Sequence, residues 1–183
     1  MIDFESPKLH VKEDVLKRAV DTAKNNIIST IVVASTTGST ARQLLGLIKQ
    51  ERLKVIVVTH DEGRKLQDRR FDGDIRKELE ANGFTIYTHN PGWILLRKIT
   101  SRIFGRFGFP RWYEHLKEVK ERYGTGIKVC HIIVQMLEEG NVLKNEKVIA
   151  IAGTKSGADS AAIFTIRSQS KWPILEEVII NWP

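Results

Sequence analysis

Thiols are almost absent: Cys130 is the one cysteine in 183 residues. A lone thiol excludes an intrachain disulfide framework and any zinc site built on several thiolates, and it fits a reducing cytosol best. Proline, at five residues, is too scarce for a long disordered linker, while 42% hydrophobic and 28% charged residues match ordinary globular usage. Long apolar runs are missing too: stretches such as residues 55–58 have strand length, far below the roughly 20 residues that cross a bilayer. The first residues carry Asp3 and Glu5 where an export signal would carry basic side chains. A cytoplasmic protein with no membrane partner is therefore expected, folded as one domain over residues 1–183.

Positive charge is present in excess but is not general. The net charge is +7, and between residues 91 and 128 nine Lys or Arg face three Glu, so the rest of the chain is almost neutral. Such a local cluster bears on partners only if it forms a surface of its own.

Apolar positions in residues 14–26, Val15, Leu16, Ala19, Val20 and Ala23, follow helical spacing, and Asp14 stands where an N-cap or first-turn acid would. Residues 27–34 then form a short β-branched run, the pattern of a strand covered on both faces. A helix beginning near Thr40, a second buried strand over 54–59, a helix over 74–81 with Gly83 at its C′ position and a third strand over 84–88 follow in turn. The middle lacks strands and reads as helices over 93–104, 111–123 and 127–138, broken by Gly105, Gly108 and Pro110. A strand over 147–152 and closing strands over 161–167 and 175–181 complete the chain, at least one of them expected antiparallel. The alternation predicts a three-layer α/β fold with a mostly parallel, doubly wound sheet and an antiparallel edge. Residues 91–125 read as a helical insertion whose aromatics need burial, either as a cover over the sheet or as a subunit contact in a homo-oligomer.

Two segments echo one another. Residues 32–41, VVASTTGSTA, and residues 151–160, IAGTKSGADS, each carry an apolar strand into a hydroxyl-rich turn around glycine. In a doubly wound sheet such turns lie at the carboxyl edge, where ligands bind. Glycine lets consecutive N–H groups point the same way, and a following helix N-terminus adds its positive end, an arrangement suited to an anion. The candidate phosphate-binding residues are Ser35, Thr36, Thr37, Gly38, Ser39 and Thr40 in the first loop. Gly153, Thr154, Lys155, Ser156, Gly157, Ala158 and Asp159 form the second, with Thr59 and His60 at the end of the second strand. A single turn of this kind could simply cap a helix; two matched turns favour a site for a phosphorylated small molecule. Neither loop has the Gly-x-Gly-x-x-Gly or Gly-x-x-x-x-Gly-Lys-Thr form, so an ordinary dinucleotide site or P-loop is not indicated.

Other residues carry weaker readings. His60, Asp61 and Glu62 could supply a general acid or base to an enzyme acting on the ligand, or be solvated loop residues. Cys130 and His131 lie on an apolar helix as a packed thiol and a satisfied imidazole. His10, His89 and His115 show no metal-ligand spacing, and no metal is expected. Arg97, Lys98, Arg102, Arg106 and Arg111, interleaved with Phe104, Phe107, Phe109 and Trp112, would suit single-stranded nucleic acid. The segment over 97–111 also fits a solvated helix packed on the sheet, and only an affinity falling steeply with salt would mark it as an RNA surface.

From helix to second strand, residues 16–59 with Ser35-Thr36-Thr37-Gly38-Ser39-Thr40-Ala41-Arg42 at their centre resemble the C-terminal domain of pyruvate kinase. That domain's effector loop has the form Ser/Thr-x-x-Gly-x-Thr/Ser-Ala and grips a sugar phosphate in regulated enzymes. The resemblance implies that residues 35–40 are the phosphate cradle and that residues 154–159 correspond to the later loop closing over the same pocket. Gly126-Ile127-Lys128-Val129-Cys130 together with Gly153-Thr154-Lys155-Ser156-Gly157-Ala158-Asp159 is more similar to free-standing archaeal-type proteins of this class, for which the resemblance implies a bound mononucleotide such as flavin mononucleotide (FMN). Residues 91–122 depart from the pyruvate kinase domain. A chain of 183 residues has no room for the catalytic barrel of about 250, so pyruvate kinase catalysis is not expected.

Overall fold

Strands that are apolar without a break must be covered on both faces, and a helical layer lies on each side of the sheet. The computed structural model describes residues 7–49, 51–59, 70–88, 111–153 and 157–182. In chain order the elements are α1 (Pro7–Asn25), β1 (Thr30–Ala34), α2 (Ser39–Ile48), β2 (Lys54–Thr59), α3 (Gly73–Ala81) and β3 (Thr85–Thr88). They continue with α4 (Arg111–Glu139), β4 (Lys147–Ala152), β5 (Ser160–Thr165) and β6 (Ile174–Asn181). The sheet order is β3-β2-β1-β4-β5-β6. Pairs β3/β2, β2/β1 and β1/β4 are parallel, and β4/β5 and β5/β6 are antiparallel. This is the doubly wound α/β sheet with an antiparallel edge that the sequence predicts.

Residues alternate between the two layers with period two. Ile31 and Val33 of β1, Val55 and Val57 of β2, and Ile149 and Ile151 of β4 face the layer of α1, α2 and α3. Val32, Ile56, Val58, Val148, Ala150 and Ala152 face α4, where Ile127, Cys130, Val134 and Leu137 meet them. The helix-forming stripes answer these faces: Val15, Leu16, Ala19 and Val20 of α1 are buried, as are Ala41, Leu44 and Leu45 of α2.

Helix α4 is broken. Gly124 has φ 85 and ψ 176, which no helix contains. His115 and His131 would lie about 24 Å apart along a straight helix at 1.5 Å per residue. Their Nε2 atoms are in fact 3.1 Å apart, so the two arms fold back on each other as a helical hairpin. The arms coincide with the separate helices expected over 111–123 and 127–138. The end of the first arm is tied to β6, where the Asn181 amide donates to the Tyr123 carbonyl at 2.8 Å, while residues 91–110 lie outside the described residues. No helix among the described residues is long and apolar enough to cross a membrane.

Two boundaries differ from expectation. Helix α1 begins at Pro7, not near Asp14. A proline is well placed at a first helical position, Val11 extends the apolar stripe by one turn, and Asp14 lies inside the helix, paired with Arg18 at 3.0 Å. Strand β1 starts at Thr30 because Ile27 takes a left-handed conformation, φ 55, that lets Ile28 N–H bond back to the Ala23 carbonyl at 2.8 Å and close the helix.

Ile27 is 94% exposed, so its β-branched side chain gains no packing for a conformation that costs about 1–2 kcal/mol. Ile27→Gly is expected to stabilise the fold by about 1 kcal/mol, the relieved strain outweighing glycine's added chain entropy. Chemical denaturation measures this; an Ile27→Gly protein no more stable than wild type would contradict the strain.

Candidate functional site

Sheet order reverses between β1 and β4, the place where a doubly wound sheet opens a crevice at its carboxyl edge. These two strands run parallel with Val33 opposite Ile151, so the first loop leaves at Ser35 and the second at Gly153 from neighbouring positions on the same edge. The two echoed segments are therefore brought together.

The first loop is held from three sides. Ser35 N–H donates to the Val58 carbonyl at 3.1 Å, the Thr59 hydroxyl donates to the Thr36 carbonyl at 3.4 Å, and Asp72 N–H donates to the Thr37 carbonyl at 3.3 Å. Thr59 is buried, so its hydroxyl positions the loop. Gly38 is left-handed, φ 90, and a Cβ there would come 2.7 Å from Ile75 Cγ2 and 3.1 Å from the Phe71 ring. Glycine is thus required for the turn and for the approach of α3.

Helix α2 then starts without a side-chain cap. Among the described residues the N–H groups of Ser39, Thr40 and Ala41 have no acceptor, whereas α3 is capped in the ordinary way by Asp72, which accepts from Asp74 and Ile75 N–H at 2.9 Å. The hydroxyls around Gly38 do not cap α2. Ser39 is exposed, Thr40 is buried, and both sit in its first turn.

In the second loop Gly153 and Gly157 are in contact: a Cβ on Gly153 would overlap the Gly157 carbonyl oxygen. Gly157 is left-handed, φ 130, and Ala158 is buried. Asp159 turns toward the other layer, where its carboxylate accepts from the Ser160 hydroxyl at 2.7 Å beside Gly126 of α4. Ser160 Oγ lies 2.8 Å from Asn181 Oδ1, and the Asn181 amide donates to the Tyr123 carbonyl at 2.8 Å. His60, Asp61, Glu62, Thr154, Lys155 and Ser156 lie outside the described residues, as do Arg97, Lys98, Arg102 and Arg106.

One residue at this edge was not among the sequence candidates. Lys12 of α1 is only 8% exposed; its ammonium donates to Ser39 Oγ at 3.2 Å and its stem packs on Gly157, with Cδ 2.9 Å from where a Cβ would stand. It touches the start of α2 and the second loop together. Burial pulls its pKa below the usual lysine range. The signal was present in the sequence: Lys12 is in phase with the apolar stripe Val15, Leu16, Ala19, hidden by starting the helix at Asp14.

A separate cluster lies in the α4 layer, toward the amino end of β4. His115 and His131 are hydrogen-bonded through their Nε2 atoms at 3.1 Å, the donor set by the tautomer, beside a cavity of about 160 Å³ that Glu118, Arg122 and Leu175 also line. His115 stacks on Trp172 with ring centroids 5.4 Å apart, and His131 meets Phe164 edge-on. His131 is 1% exposed and its Nδ1 has no partner among the described residues, so the satisfied imidazole expected there is only half satisfied. Cys130 is packed as expected, its thiol pushed up by burial and by Asp159. No group of three or more His, Cys, Asp or Glu among the described residues is arranged to hold a metal ion.

Compared with known families, the chain matches the family model "Pyruvate kinase, alpha/beta domain" over residues 13–166. The match spans both loops and stops one residue short of Lys12.

Burial and the neighbouring His115 lower the His131 pKa to about 4, from 6.5 in an unfolded chain. The folded state therefore favours the neutral ring. Stability from this group is complete above pH 6.5 and is lost as pH falls from 6.5 toward 4, by roughly 3 kcal/mol in all. His115, also lowered by burial, acts in the same direction. Urea unfolding at a series of pH values should show this acid-side slope in wild type and a shallower one in His131→Leu; equal slopes would contradict the assignment.

Proposed function

The chain belongs to the pyruvate kinase alpha/beta-domain family, and on that footing we propose that it binds a phosphorylated small molecule at the carboxyl edge shared by β1 and β4. The observation that carries the proposal is the uncapped N-terminus of α2 at the point where the strand order reverses, beside the second loop. Three first-turn N–H groups, the Ser39 hydroxyl and the positive end of the helix are what a phosphate oxygen cluster accepts from. On this reading Ser35, Thr36 and Thr37 carry the chain to the cradle, Gly38 turns it, Ser39 and Thr40 donate, and the loop that leaves β4 at Gly153 adds the Lys155 charge, while Asp159, turned toward α4, takes no part. The role is binding, regulatory in kind, as for an effector domain.

The donors fit the phosphate end of a mononucleotide such as FMN and do not select among the groups attached to it. Bound flavin would supply its own redox chemistry; the chain's part is to hold and orient the phosphate.

Purified protein with retained flavin would absorb in the visible, and calorimetric titration with FMN tests the colourless case. Gly38→Val is expected to abolish binding by driving a side chain into Ile75 and Phe71, with some loss of stability. Lys155→Ala should leave folding unchanged and weaken a phosphorylated ligand by about tenfold to 150-fold, the equivalent of one charge-assisted hydrogen bond of roughly 1.5–3 kcal/mol. If Lys155→Ala binds FMN and inorganic phosphate as well as wild type does, the second loop has no part in the site.

A further inference from the structure

Lysine is almost never fully buried without a partner, because an ammonium removed from water must be compensated. Lys12 breaks this rule. The usual escape is to bury the stem and extend the charge to solvent, yet the whole residue is 8% exposed. Its ammonium hydrogen-bonds to a neutral hydroxyl, Ser39 Oγ, and no carboxylate among the described residues pairs with it. The ammonium also stands at the positive end of α2, where a cation is disfavoured and where the first-turn N–H groups lack acceptors among the described residues. Among the described residues, the polar groups converging here are the Lys12 ammonium, the Ser39 hydroxyl and the first-turn N–H groups of α2, and the contacts come from three elements distant in sequence: α1, the start of α2 and Gly157.

We infer that Lys12 is the charge-reading residue of the ligand site and that the group it reads is a doubly charged phosphoryl group. The inference rests on the two-loop reading above and adds to it a residue from outside both loops and outside the matched range. The class of ligand follows from the balance of charge. A helix N-terminus is equivalent to about +0.5 and the ammonium adds a full unit, about +1.5 together. A phosphate monoester carries about −1.5 to −2 near neutral pH, whereas a carboxylate carries at most one unit and would leave the site positive. A phosphoryl group also presents three terminal oxygens, enough to accept from the α2 amides, the Ser39 hydroxyl and Lys12 at once.

Because no carboxylate among the described residues compensates this charge, Lys12 should oppose folding and favour binding, the opposite of a structural lysine. Lys12→Met keeps an unbranched stem of similar reach against Gly157 and removes the charge. With inorganic phosphate as probe, calorimetry at fixed ionic strength should show affinity reduced by about tenfold to 150-fold in Lys12→Met and largely kept in Lys12→Arg. Acetate should bind wild type far more weakly than phosphate. The ligand-free Lys12→Met protein should melt several degrees higher than wild type. If Lys12→Met binds phosphate as wild type does, or melts lower, the role given to Lys12 is wrong while the two-loop site stands. Wild type that binds neither inorganic phosphate nor FMN would overturn both. Acetate bound as tightly as phosphate would overturn the phosphoryl assignment alone.

Discussion

The in-register parallel pairing of β1 with β4 is the constraint on which the rest of the molecule depends. Val33 lies opposite Ile151, so strands remote in the chain end side by side and hand their loops to the same edge. Because β1 also pairs with β2 on its other flank, it has hydrogen bonds on both sides and cannot slip without exchanging the residues facing the two layers. The reversal of strand order at this pair sends α2 into one layer and α4 into the other. A reversal of strand order of this kind is where doubly wound sheets open a crevice at the carboxyl edge, before any particular side chain is considered.

Three close approaches then set the detail. Gly38 lies against Phe71 and Ile75, Gly153 against the Gly157 carbonyl, and Gly126 against Ser160. In each a Cβ would collide, so the absence of a side chain determines how near two elements come. The first brings α3 beneath the loop that starts α2. The second folds the β4–β5 connection tightly enough for Gly157 to rest on Lys12. The third draws the second arm of α4 onto β5, with Cys130 of that arm bonded to the Ala150 and Ser160 carbonyls.

Electrostatics at the carboxyl edge run against local preference. Helix α3 has its Asp cap, and α2, at the same edge, has none and receives a lysine instead. A natural sequence is generally consistent at every level, and departures from that consistency concentrate where a molecule does something other than fold. The His115–His131 pair is a departure of another kind. It lies inside the helical hairpin away from the edge, where burial and the neighbouring ring favour the neutral form of His131 in the folded state.

Amino-acid sequence alone determined the layers and the sheet. Continuous β-branched runs at β1, β2 and β4 could only be strands covered on both faces, the 3.6-residue stripes named the buried faces of α1 and α2, and glycine in a hydroxyl-rich turn marked both loops, because these signals are local and periodic. Tertiary structure decided what depends on partners far along the chain. It made Thr59 a support for the Thr36 carbonyl, turned Asp159 toward α4, left α2 without the cap its hydroxyls could have supplied, and paired His131 with His115. It also placed Lys12 at the junction of the two loops. In sequence that residue is one lysine among many; its burial arises only when α1 meets the start of α2 and Gly157, and burial is what gives an ordinary charge its consequence.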